Sequence, residues 1–211
     1  MKVKICGIMD VETALKTVEF GADALGFVFA ESKRKITPDQ AKEIINEIPD
    51  GILKVGVFVN EDPDVIREIV KETGINVIQL HGDESPEYCG QFSVPVIKAL
   101  SVESQEDLKQ LDQYSCDYYL LDSPKGKYRG GNGVTFDWSI LNGEKLNGKK
   151  VILAGGLSID NVEQAIELTA PYMVDVSSGV ETDGKKDIQK IKEFIDQAKK
   201  GQKSSVLADK L

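Results

Sequence analysis

The sequence has few of the residues that build metal and redox centres. It holds one histidine and three cysteines in 211 residues, and Cys6, Cys89 and Cys116 lie far apart with no C-x-x-C spacing. Zinc sites need clustered Cys and His, so none is expected. Three scattered thiols read as reduced cysteines of an intracellular, cytoplasmic protein rather than as a disulfide framework. Long apolar runs are also missing. The longest, Ala22 to Ala30, contains Asp23 and falls far short of the roughly 20 residues that span a bilayer. The opening Met1-Lys2-Val3-Lys4-Ile5-Cys6 reads as a strand and carries no apolar core of a secretory signal. Positive charge is in deficit, with 26 Lys+Arg against 35 Asp+Glu and a net charge of −9. Neither nucleic acid nor a membrane surface is an expected partner of so acidic a chain. A single small anion is not excluded, because a local site need not share the sign of the whole. Nineteen glycines and seven prolines rule out collagen-like and Pro-rich readings. The 41% apolar share fits one medium globular domain or two very small ones.

What the sequence does contain is a repeat of kind rather than of letters. Eight short apolar, β-branched runs recur, at Val3–Cys6, Ala24–Phe29, Leu53–Val59, Val77–Leu80, Val94–Ala99, Tyr118–Leu121, Lys150–Ala154 and Met173–Val176. Several are continuous rather than alternating, as in parallel strands buried on both faces. Amphipathic segments lie between them. Thr37-Pro38, Asp62-Pro63 and Ser85-Pro86 read as helix starts with a capping side chain and a proline in the first turn. Asp10 and Ser158 read as further caps and Ser101 as a weaker one, while Gly21 and Gly74 read as terminators. Lys186–Lys199 reads as the last helix. The strands advance by about 24 residues per step, the length of one strand, one helix and two short loops. That predicts a single α/β domain over 1–199, a parallel (β/α)8 TIM barrel, with a polar, flexible tail over 200–211. An open doubly wound sheet is the alternative, but the G-x-G-x-x-G turn expected after its first strand is missing. The mostly charged helical exterior favours a monomer over a homodimer. Ser123 to Val134, with four glycines and three cations, reads as a lid.

In such barrels functional groups gather at the C-terminal ends of the strands. That rule selects Cys6 and Gly7 after strand one, Gln79 and His81 around strand four, Asp122 at the end of strand six, Gly155 and Gly156 after strand seven, and Asp175, Ser177, Ser178 and Gly179 at strand eight. Taken singly, each has an ordinary structural explanation. Taken together, the glycines and hydroxyls of strands seven and eight suit a phosphate monoester. Cys6 and Asp122 could face one another as a base and an acid. Arg34, in the cationic loop Ser32-Lys33-Arg34-Lys35, suits a substrate carboxylate.

These motifs together resemble the phosphoribosylanthranilate isomerase family of tryptophan biosynthesis. The resemblance rests on Lys4-Ile5-Cys6-Gly7, Gly26-Phe27-Val28-Phe29 with Ser32-Lys33-Arg34, Val55 to Asn60, Ile78-Gln79-Leu80-His81-Gly82-Asp83-Glu84, Leu120-Leu121-Asp122, Leu153-Ala154-Gly155-Gly156-Leu157 and Val174 to Glu181. It runs in order from Val3 to about Phe194. Glu181 to Asp187 is a looser form of the family's stretch, and the residues after Lys200 have no counterpart. The resemblance implies an Amadori rearrangement of N-(5-phosphoribosyl)anthranilate to 1-(2-carboxyphenylamino)-1-deoxyribulose 5-phosphate, with no cofactor and no metal. It implies Asp122 as acid, Cys6 as base, a phosphate site at Gly155, Gly156, Ser178 and Gly179, and Arg34 on the anthranilate carboxylate. Gly7, Gln79, His81, Asp175 and Ser177 complete the expected substrate-binding rim. A free thiol titrates near 8.5 and a free Asp near 3.9, so the site is expected to lower the one and raise the other. Other phosphosugar barrels fit less well. Epimerases need several metal-binding His and Asp, the histidine-pathway isomerase wants an Asp at position 6, and indole-forming synthases use a Lys and Glu set. A barrel that only binds a phosphometabolite is the non-enzymatic alternative.

Overall fold

The structure, a computed structural model, describes residues 1–123, 137–141 and 148–208, with side chains to 201. Nearly all of the expected lid lies outside the described residues. Eight parallel strands close into a barrel in chain order: β1 (Lys2–Cys6), β2 (Ala24–Val28), β3 (Leu53–Phe58), β4 (Val77–Leu80), β5 (Val96–Ser101), β6 (Tyr118–Asp122), β7 (Val151–Leu153) and β8 (Met173–Val176). β8 pairs back onto β1, Lys4 opposite Asp175. A two-stranded ribbon, β9 (Glu181–Thr182) and β10 (Lys185–Lys186), follows the barrel.

The helices start largely where the caps predict. Asp10 caps α1 (Val11–Glu19), and Thr37 closes a reciprocal capping box with Gln40 on α2 (Pro38–Asn46). Asp62 caps α3 (Pro63–Thr73), which Gly74 ends at φ 81°, in the left-handed region that glycine enters without cost. Ser85 caps the single turn α4 (Pro86–Cys89). Three expectations need correction. Ser101 is the last residue of β5, and a 3-10 helix over Gln105–Gln113 starts instead behind Ser104. Val102 still follows the sheet, its N–H donating to the Asp122 carbonyl, so the chain cannot turn earlier. Ser158 opens a turn, and α5 (Val162–Thr169) is preceded by Asn161. The last helix, α6 (Ile188–Ala208), continues past Lys199. No proline interrupts residues 200–208, and each residue added to an existing helix gains a hydrogen bond. Gly201 also lies close to the Glu163 backbone of α5. Among the described residues, no helix is long and apolar enough to cross a membrane.

Side chains alternate along each strand. Outward residues such as Val3, Ile5, Leu25, Phe27, Ile78, Leu80 and Leu121 join the helices in one large apolar layer. Inward residues Ala24, Val55, Val77, Ile97, Leu120, Ile152 and Met173 fill the barrel. Above that plug the inward positions turn polar, and these become the site.

One outward charge is buried as well. Lys98 Nζ lies 2.7 Å from Glu84 Oε2, with side-chain exposures of 1% and 2%. It also donates to the Gly82 carbonyl at 2.8 Å. Glu84 in turn accepts the N–H groups of Asn60 and Gly82. The pair therefore holds the loop that carries His81. Removing one partner strands the other charge in the core, at a cost of about 3–5 kcal/mol. Lys98→Met should lose that much in urea unfolding, and Lys98→Met/Glu84→Leu should regain most of it. A loss under about 1 kcal/mol in the single variant would show that the pair does not hold the loop.

Candidate active site

Cys6 faces the barrel interior at the end of β1 and is 8% exposed. Room for its sulfur comes from Gly26, its partner on β2. A Cβ at position 26 would lie 2.7 Å from Sγ. Beneath Cys6 on the same face sits Lys4, fully buried, its Nζ 3.0 Å from Asp175 Oδ1. Burial pushes the Cys6 thiol up, Lys4 and Lys186 pull it down, Asp175 pushes it up again, and the result lies above the ordinary thiol range. The expected lowering is therefore corrected: desolvation outweighs the two ammonium groups. Lys4 responds in the complementary way. Burial works against its charge, but Asp175 and Cys6 outweigh it and hold its pKa above the usual lysine range.

Asp122 ends β6 and is 4% exposed. Its Oδ1 accepts the Ser123 N–H at 2.8 Å. Its Oδ2 lies 3.2 Å from His81 Nε2, and His81 Nδ1 lies 2.9 Å from Gln79 Nε2. Gln79 and His81 thus meet at the Asp122 carboxyl, and Gln79 acts through His81. Among the described residues the buried Gln79 Oε1 has no hydrogen-bond partner. Gly155 explains how β7 fits beside this group. Its φ is 82°, and a Cβ there would lie 2.4 Å from Ser123 N and 2.9 Å from Asp122 Oδ1.

The carboxylate-binding candidate is already engaged. Arg34 donates from Nε and Nη2 to the two oxygens of Glu181, at 2.6 and 3.0 Å. Lys186 reaches the same carboxylate at 2.8 Å, together with the Ser177 carbonyl at 2.9 Å. Burial raises Glu181, but the Arg34 and Lys186 bonds overwhelm it and hold the carboxyl at about 2. The Arg34 side chain packs against Gly7, where a Cβ would lie 2.5 Å from the Arg34 Cδ. The Glu181 clamp thus fixes the guanidinium whose stem packs on Gly7, and the five donors of the fork exceed the two bonds to Glu181.

The loops after β7 and β8 meet, and several of their polar groups bond within the protein. Gly179 abuts the Leu157 carbonyl, where a Cβ would lie 2.0 Å away. Ser158 N–H is taken by Asn161 Oδ1 at 2.8 Å, and Asn161 Nδ2 donates to the Gly156 carbonyl. The Ser177 hydroxyl donates to the Cys6 carbonyl at 3.0 Å. It ties β8 to β1, and the Asp175 carboxylate is bound to Lys4. Gly155, Gly156, Ser178 and Gly179 remain half-buried at the rim. Lys4, Glu181 and Lys186, which the structure pairs with Asp175 and Arg34 or with each other, are not singled out by the sequence. Lys4 carried a signal, a charge at an inward position of a strand. Glu181 and Lys186 carried none, because their partners are remote in sequence. Among the described residues no cluster of His, Cys, Asp and Glu is placed to hold a metal ion.

The profile of the family described as N-(5'-phosphoribosyl)anthranilate (PRA) isomerase matches residues 3–197. The N-(5'-phosphoribosyl)anthranilate isomerase of Bacillus cereus strain B4264 is 59% identical over 200 residues, 94% of this chain and 98% of the relative. The crystal structure of phosphoribosylanthranilate isomerase from Thermotoga maritima, a protein described as dimeric, superposes with a TM-score of 0.88 at 43% identity, covering 95% of this chain and 99% of that one. A structure of the enzyme in complex with reduced 1-(o-carboxyphenylamino)-1-deoxyribulose 5-phosphate superposes at 0.84 and 42% identity, with the same coverage. Barrel, rim and relatives agree: the chain belongs to the N-(5'-phosphoribosyl)anthranilate isomerase family, aldose–ketose isomerases of tryptophan biosynthesis.

Proposed function

We propose that in this chain the Amadori rearrangement of N-(5-phosphoribosyl)anthranilate is carried by Asp122 as general acid and Cys6 as general base. Asp122 protonates the furanose ring oxygen, the C1–O bond breaks, and the electron pair on nitrogen forms a cationic Schiff base. That cation makes the C2 proton acidic. The Cys6 thiolate removes it to give the enolamine, and in the aminoketose product a proton stands on C1 in its place. The observation that carries this reading is the shared inward face. Cys6 and Asp122 are a thiol and a carboxyl at strand ends of the barrel, each 8% exposed or less, while the Asp175 carboxyl is taken by Lys4. Gln79 and His81 orient the acid. Arg34, held by Glu181, binds the anthranilate carboxylate with its remaining donors. The half-buried backbone of Gly155, Gly156, Ser178 and Gly179 binds the phosphate.

Asp122→Asn and Cys6→Ser should each lower kcat by roughly 10²–10⁴ while a product analogue still binds within about tenfold of wild type. A substrate supplied already opened to the Schiff base should rescue Asp122→Asn and not Cys6→Ser, because the base acts later. Rescue of both, or of neither, would show that the roles are wrongly assigned.

A charge-assisted pair contributes about 1.5–3 kcal/mol. Arg34→Ala should therefore lower kcat/KM by roughly 10- to 150-fold. A product analogue without the carboxylate should bind wild type and Arg34→Ala alike. Equal weakening of both ligands would make Arg34 a purely structural residue.

The same reading takes the chain as a cytoplasmic monomer. All three cysteines are free thiols, which suits a reducing compartment. The exposed large apolar residues Met9, Leu15, Val65 and Leu168 are spread over the β1–α1 connection, α1, α3 and α5. Light scattering on the purified chain should give the mass of one copy. The mass of two would overturn the monomer.

A further inference from the structure

We propose that Lys4 is a positioning residue for Cys6: its buried ammonium, seated on Asp175 beneath the rim, is the charge that lets the desolvated thiol ionise. The inference rests on the reading of Cys6 as the base. It starts from a pair that packing does not explain. Lys4 has no exposed side-chain surface, and Asp175 has 9%. The inward residues around them are Ala24, Val55, Val77, Ile97, Leu120, Ile152 and Met173. A buried ion pair in such a layer stabilises little or nothing relative to apolar residues of the same volume. Its cost calls for a use beyond holding the barrel shut.

The geometry supplies one. Lys4 and Cys6 stand two apart on β1, so their side chains share the inward face. The ammonium has more N–H donors than the single Asp175 oxygen accepts. The charged groups that act on Cys6 are Lys4 from β1, Asp175 from β8 and Lys186 from β10, while β2 and β3 present the uncharged Gly26, Val28 and Val57. Lys186 is drawn to the rim by Glu181 and the Ser177 carbonyl. Lys4 remains as the cation beneath the thiol, and Cys6 acts on it both as a charge and as a hydrogen-bond partner. When Cys6 ionises, the S–H bond breaks, its electron pair stays on Sγ beside the ammonium, and the proton leaves to solvent. In turnover that pair takes the substrate C2 proton. Asp175 has two opposed effects. It keeps Lys4 protonated, and its own charge resists the thiolate.

The test is a titration of Cys6 as the sole thiol, in a Cys89→Ala/Cys116→Ala background, by ultraviolet thiolate absorbance. Lys4→Met should raise the thiol pKa by about one unit or more. The rising limb of the kcat–pH profile should move up with it, with KM little changed. Lys4→Arg should keep both near wild type. Asp175→Asn should move the thiol the other way, down, because a repelling charge is gone and a cation remains. If Lys4→Met does not fold, Asp175→Asn and Lys4→Arg decide. An unmoved thiol in Lys4→Met, or an unmoved or raised one in Asp175→Asn, overturns the inference. A purely structural Lys4 would change the melting temperature and leave the titration in place. Full activity in Cys6→Ser would instead sink the base reading, and the thiol titration would still report on Lys4.

Discussion

Closure of eight parallel strands imposes the constraint on which the site depends. In a closed sheet every second side chain points at the axis, and strands tilted by the barrel end at one rim. The lower inward positions must fill space without polar atoms, as Val55, Val77, Ile97, Leu120 and Ile152 do. The last inward position of each strand borders solvent and is released from that demand. Cys6, Gln79, Asp122 and Asp175 occupy such positions. Chemistry is concentrated there because it is where a polar group costs least while still sheltered from water.

A second constraint is close approach of backbone. Gly26 makes room for the Cys6 sulfur, Gly155 for the Asp122 carboxyl, and Gly7 for the Arg34 side chain. A methyl group at any of the three would displace a group of the site. These glycines serve packing between neighbouring strands more than ligand approach. Gly179 against Leu157 does the same for the loops of β7 and β8. The rim is thus assembled by contact between its own parts before any substrate arrives, which is the preorganisation that catalysis needs.

Charge follows the same logic in a chain of net −9. The cations that matter are each held by one carboxylate: Lys4 by Asp175, Arg34 and Lys186 by Glu181, Lys98 by Glu84. Burial raises the strength of each pair and makes each partner indispensable to the other. Lys4–Asp175 lies beneath Cys6 on the inward face, and Arg34–Glu181 packs beside Gly7, the next residue along.

Much of this was legible in the chain alone. Strand runs, their spacing and the caps at Asp10, Thr37, Asp62 and Ser85 are local properties, set by periodicity and by side-chain to backbone bonds over a few residues. They determined the barrel, the strand ends, and hence Cys6, Asp122, Gln79 and His81 as neighbours of one rim. The end of α6 was misread because helix termination without a proline or a left-handed cap leaves no local mark. Partnership was decided only by the tertiary structure. Lys4 and Asp175 are 171 positions apart, and Arg34 and Glu181 are 147 apart. Which of two remote charges meet depends on the register of β1 on β8 and on the path of the ribbon after β8. No local pattern encodes these. Register is fixed when the barrel closes and the whole apolar layer packs at once. That is why the sequence singles out Arg34 and Asp175 at strand ends but not their partners Glu181 and Lys4.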